Sequence, residues 1–200
     1  MEEQNVQAPA VQEPESAVEK LNKEVNRQEK GVKSYQRLVL KLLVFVGALW
    51  LLFFVFIGFL HMPGNDMYPR LDNGDLIMFY RLDKKPKAQD IIVLKKEDPE
   101  SAKEQVYVCR VVAVAGDTVE INEDECLVVN GNVMIETNIF SSTPIAEGEG
   151  FPEYPLTLGA GECFVLADAR TTGIDSRYFG PVEKDEIVGT VITTLRRNNL

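Results

Sequence analysis

The chain has 200 residues, 45% apolar and 26% charged, with 14 Gly and 10 Pro, which excludes a collagenous, mucin-like or wholly disordered polymer and leaves room for one folded domain. The formal charge of −10 lies entirely beyond residue 60: residues 1–60 hold seven Lys/Arg against seven Asp/Glu, and residues 61–200 hold fourteen against twenty-four. An acidic domain without basic clusters is a poor binder of nucleic acid, and none is expected as a partner. Three cysteines, Cys109, Cys126 and Cys163, are too few for a disulfide framework; Cys126 and Cys163 read as free and buried rather than bridged. With His61 as the single histidine a His-rich metal site is excluded, and neither metal nor cofactor is expected.

Residues 1–16 have the polar, proline-containing composition of a disordered tail. Over residues 17–41, Val18, Leu21, Val25, Val32, Tyr35 and Val39 occupy heptad a and d positions and predict a juxtamembrane helix. Gln28 interrupts that seam and Gly31 breaks it, so only weak self-association is expected there. Residues 42–60 follow without a charge. As a helix they would cover roughly 28 Å, about the thickness of a bilayer's hydrocarbon core. The run exceeds the apolar region of a cleaved signal peptide, and its exit, Gly58 to Pro63, offers no small-x-small site. An uncleaved single-pass anchor is therefore predicted. Lys30, Lys33, Arg37 and Lys41 precede it, whereas Asp66, Asp72 and Asp75 follow with only Arg70 among them. The positive-inside rule then puts the N-terminus in the cytoplasm and residues 61–200 outside the cell membrane.

Beyond the anchor, short β-prone runs recur between turn signals: Leu76–Tyr80, Ile91–Leu94, Val106–Val114, Thr118–Ile121, Leu127–Val129, Val133–Ile135, Cys163–Leu166 and Ile187–Leu195. Asn130-Gly131 is a strong two-residue hairpin signal. Residues 136–161, rich in Gly, Pro, Ser and Glu, read as a long loop or cap. The expected fold class is mainly β, an antiparallel-sheet domain preceded by one transmembrane helix.

Four blocks, in order behind the anchor, carry a family resemblance. They are Gly64-Asn-Asp-Met-Tyr-Pro-Arg-Leu71 with Gly74-Asp75; Gln89-Asp-Ile-Ile-Val-Leu94; Tyr107-Val-Cys-Arg-Val-Val-Ala-Val-Ala-Gly-Asp-Thr-Val-Glu120; and Ala167-Asp-Ala-Arg-Thr-Thr-Gly-Ile-Asp-Ser-Arg-Tyr-Phe-Gly-Pro-Val182. Their order and spacing resemble the type I signal peptidases, in the single-span form of Gram-positive bacteria. The likeness covers residues 38–197.

That resemblance implies acyl-transfer chemistry, in which a serine hydroxyl attacks a peptide carbonyl while a buried neutral lysine takes its proton. In this chain the serine position is Asp66, the lysine position Cys109 and the supporting-serine position Gly173. Asp66 is a poor nucleophile toward an amide, because its acyl product would be an anhydride. Cys109 would need a base or a cationic neighbour to become a thiolate. An aspartic dyad of Asp66 with Asp168 or Asp175 is the other conceivable chemistry. By resemblance, however, those two are structural partners of arginines, Asp168 with Arg110 and Asp175 with Arg177. Met62, Met67, Tyr68, Met78, Tyr107 and Val108 either form a groove that clamps an extended peptide or are core and membrane-facing surface. The resemblance extends to catalytically degenerate relatives of pilus assembly loci. The expected function is thus a non-catalytic, membrane-anchored binder of secreted or membrane-tethered polypeptides such as pilins, in contact with membrane lipid. An active peptidase cleaving signal peptides of secretory precursors is the alternative.

Overall fold

The computed structural model describes residues 14–99, 101–137, 139, 141–146, 148 and 150–196. The tail expected at residues 1–16 lies outside the described residues up to position 13, and positions 14–16 already belong to a helix. That helix, α1 (Pro14–Phe56), runs through Gly31 without a break. Its apolar side chains are exposed, Trp50 at 66% for example, and within the described residues it is long and apolar enough to cross a membrane.

The helix stops four residues short of the expected Leu60, because Ile57–Leu60 enter a strand, β1 (Ile57–His61). An apolar run rich in Ile and Phe satisfies helix and strand alike, and periodicity alone cannot separate them. The antiparallel partner, β2 (Leu76–Tyr80), decides the case by pairing Ile57 with Tyr80 through to His61 with Leu76. The Arg81 N–H closes the junction on the Phe56 carbonyl at 2.9 Å. The helical uncharged stretch is therefore residues 42–56, roughly 22 Å long. Residues 38–41 extend it if the Lys41 stem lies along the apolar surface with its ammonium in water.

From Phe53 onward the chain forms a second compact unit. After β1 and β2 come β3 (Ile91–Glu97), β4 (Glu104–Val114), β5 (Thr118–Ile121), β6 (Leu127–Val129), β7 (Asn132–Val133), β8 (Leu156–Thr157) and β9 (Glu162–Leu166). A short helix, α2 (Ser176–Phe179), then precedes β10 (Val182–Glu183) and β11 (Ile187–Leu195). Two antiparallel sheets result, one in the order β1-β2-β11-β3-β4-β9-β10 and one in the order β7-β6-β5-β8. The region expected as an unbroken loop, 136–161, contains β8, which pairs with β5.

Strand β4 organises the core. All of Tyr107–Ala113 is buried. Tyr107, Cys109 and Val111 face one apolar cluster with Ile92, Leu94 and Val165, while Val108 joins another with Ile77, Phe79 and Val93. A bulge between Val111 and Ala113 breaks the alternation, so Val112 and Ala113 both join a third cluster with Phe164 and Leu166. The Asn130-Gly131 hairpin forms between β6 and β7, both residues at positive φ (54° and 77°), the conformation a two-residue turn of type I′ requires.

Candidate functional site

Asp66 sits in the connection between β1 and β2. Met67 and Leu71, both about fully buried, anchor this segment in the core, and the Leu71 N–H donates to the Met67 carbonyl at 2.9 Å. The backbone of Asp66 is tied to the 167–175 segment: its carbonyl accepts from the Ala169 N–H, and the Ala169 carbonyl accepts from the Gly173 N–H, both at 2.8 Å. A Cβ built on Gly173 would lie 3.5 Å from the Asp66 Cβ. Cys109, on β4, is buried behind them, its thiol 4.0 Å from the Ile174 carbonyl. The fold thus gathers positions 66, 109 and 173, separated by up to 107 residues, around one point.

Two buried ion pairs frame that point. Arg110 holds Asp168 with two bonds, one from Nε at 2.8 Å, and also donates to the Gln89 carbonyl. Asp175 caps α2 through the Arg177 N–H and takes the Arg177 guanidinium with both oxygens, at 2.9 Å each, and the Ala167 N–H at 2.9 Å. Charge-assisted, two-pronged pairing of this kind is what satisfies a carboxylate out of water. Both aspartates are committed, so neither is available to share a proton with Asp66.

The electrostatics of the replacements follow from this crowd of carboxylates. Burial pushes the Cys109 thiol well above the ordinary thiol range, and the charges of Asp175, Asp66 and Asp168 push it further against an opposing pull from Arg177. The thiol stays protonated. Asp66 is raised as well, first by burial and then by Asp175. A carboxyl raised on folding binds its proton more tightly in the native state, so it weakens folding above its native pKa and does nothing below its unfolded one. Accordingly, Asp66→Asn should raise the Tm of the full chain at neutral pH, with the advantage fading as pH falls through the raised native pKa and gone below the ordinary carboxylate value. A Tm difference that stays constant with pH would contradict the shift.

The description "Signal peptidase, peptidase S26" matches residues 35–195. The chain belongs to this family. Signal peptidase I S of Bacillus subtilis (strain 168) is 31% identical over 137 residues, 64% of this chain and 70% of that protein. Thylakoidal processing peptidase 1 of Arabidopsis thaliana is 31% identical over 137 residues, 64% of this chain but only 38% of that relative's length. A signal peptidase I structure from Enterococcus faecalis V583 shares 31% identity, with a TM-score of 0.41, covering 55% of this chain and 97% of that one.

Within this signal peptidase fold the residues read as a possible groove divide. Met62, Met67 and Val108 are core, packed on Ile77, Phe79 and Val93. Tyr107 is core too: its hydroxyl donates to Asp98 at 2.7 Å and its ring meets Phe179. These side chains pack inward, as the core alternative has them. Tyr68 is exposed and Met78 half-buried, so these two keep a surface. Cys109 and Cys163 are buried free thiols, whereas Cys126 is half-buried and free, because it sits in the exposed β5–β6 turn.

Arg170, Glu136 and Ala167 belong to the site and carry no assignment from sequence reasoning. Arg170, 1% exposed, donates to the Ala167 carbonyl, Thr143 Oγ1 and both carboxylate oxygens of Glu136. Arg177 adds a bond to the Pro144 carbonyl. Glu136, Thr143 and Pro144 are thereby fastened beside the site. No local pattern signals this, since Glu136 and Arg170 are 34 positions apart. The third is Ala167, whose methyl occupies the space that any Cβ at position 173 would need.

Proposed function

We propose that this signal peptidase I-like protein is non-catalytic and binds secreted or membrane-tethered polypeptides, of which pilins are the expected case, as an assembly factor or chaperone at the outer face of the cell membrane. The carrying observation is the composition of the point where positions 66, 109 and 173 meet: an acid, a protonated buried thiol and a glycine. Peptide-bond cleavage there requires a nucleophile and a group able to take its proton. A carboxyl and a protonated thiol are poor substitutes for both, and the carboxylates of Asp168 and Asp175 are held by arginines. Loss of a nucleophile in such machinery typically costs many orders of magnitude, leaving about a thousandfold over water. The flanking charges support a cytoplasmic N-terminus, with α1 as the anchor.

Family membership favours a second reading, an active peptidase cleaving signal peptides. One experiment separates them. The full chain, purified in detergent micelles free of host peptidase, is incubated with a secretory precursor and the products are read by mass spectrometry. No cleavage is expected. Cleavage at one defined bond, lost in Asp66→Ala or Cys109→Ala, would overturn the non-catalytic reading.

A further inference from the structure

A cavity of about 560 Å³ opens beside the segment that carries Asp66, with Asn65 in its lining. Tyr68, Asp72, Ser141, Asp168, Thr171 and Thr172 are among the residues that line it. That volume lies within the range of sites that hold a small ligand or a side chain with its flanking backbone. Its two acids are in different states. Asp168 is buried and neutralised by Arg110. Asp72 is exposed; its Oδ1 accepts the Asn73 N–H at 2.8 Å, and no lysine or arginine lies within ion-pairing distance of it among the described residues.

We infer that this cavity seats a lysine or arginine side chain of the bound polypeptide, with the charge on Asp72 and the aliphatic stem along the Tyr68 ring. The inference rests on the polypeptide-binding reading above and names the chemistry recognised. Tyr68 is 58% exposed, offering a ring face to a cation or its stem. The Thr171 and Thr172 hydroxyls, also exposed, supply acceptors for the remaining N–H groups. An acidic side chain would meet the charge of Asp72, which no lysine or arginine pairs among the described residues. The domain as a whole, fourteen Lys/Arg against twenty-four Asp/Glu, draws cationic segments toward it.

The test uses the full chain in detergent micelles and short fluorescein-labelled glycine-serine peptides carrying one lysine, one norleucine or one glutamate, with affinities read by fluorescence anisotropy at low ionic strength. The lysine peptide should bind about tenfold tighter than the norleucine peptide, and the glutamate peptide weakest. Asp72→Asn and Tyr68→Ala should each remove most of the lysine advantage. Asp124→Asn, an equal charge change at an exposed turn far along the chain, should preserve it. Equal affinity for lysine and norleucine, or the same loss in Asp124→Asn as in Asp72→Asn, would overturn the seat while leaving polypeptide binding in place. Absence of binding by any of the peptides would overturn the seat and count against the binding reading with it.

Discussion

Asp175→Ala should cost the β domain about 3–5 kcal/mol, the range for breaking one side of a buried pair. The carboxylate is fully buried and accepts four bonds: from the Ala167 N–H and from the N–H, Nε and Nη2 of Arg177. Its removal strands a guanidinium that is 1% exposed and uncaps α2. Since domains are stable by only about 5–15 kcal/mol, a loss of this size is a large share of the total. Chemical denaturation of the full chain in micelles, followed by tryptophan-independent far-UV signal, gives the value. The exposed pair Lys95–Glu104, with side chains 51% and 66% accessible, is the contrast: Glu104→Ala should cost no more than about 1 kcal/mol. A loss for Asp175→Ala as small as that for Glu104→Ala would show that water reaches the pair.

Gly173→Ser, which would put a hydroxyl at the supporting-serine position that the family resemblance implies, should itself destabilise the domain by about 1–3 kcal/mol through overpacking. The new Cβ would overlap the Ala167 Cβ and lie 3.1 Å from the Ala169 carbonyl. Neither neighbour is the far end of a flexible side chain, so backbone has to move. Ala167→Gly frees the larger of the two conflicts, at a cost of up to about 1 kcal/mol in backbone freedom. The two changes should therefore couple: the double variant should be more stable than Gly173→Ser alone, and the double-mutant cycle should yield a favourable interaction energy. Strictly additive effects would remove the argument. The same logic sets the route to reconstitution. Asp66→Ser, Cys109→Lys and Gly173→Ser together should fold poorly, and adding Ala167→Gly should recover folding. Only the fourfold variant is thus a fair test of whether the scaffold still supports cleavage.

Much of the fold was written in local pattern. Leu76–Tyr80, Thr118–Ile121, Leu127–Val129 and Ile187–Leu195 are strands within the bounds that β-prone composition and turn residues set. The type I′ hairpin follows from two adjacent residues that tolerate positive φ. Elements whose identity depends on a distant partner were not legible. Ile57–His61 became strand because Leu76–Tyr80 lies alongside, and the two-residue strands β8 and β10 exist only through pairing with β5 and β9. The same division runs through the site. Aligned motifs alone marked Asp66, Cys109 and Gly173 as related positions. Burial then separated core from surface among the apolar candidates, because an amino-acid type says what a side chain prefers, not which face of a strand is covered.

What the residues gave unaided was chemical identity: an apolar run fit for a bilayer, an acidic domain behind it, and a carboxyl and a thiol at the positions where the family resemblance implies a hydroxyl and an amine. Tertiary structure alone decided their physical state. Cys109 is locked in its protonated form because burial and three aspartates from distant segments surround it. Ala167 and Gly173 share one small volume because a chain reversal stacks them. Charge, desolvation and excluded volume act through space, and sequence separation carries no distance until the chain has folded.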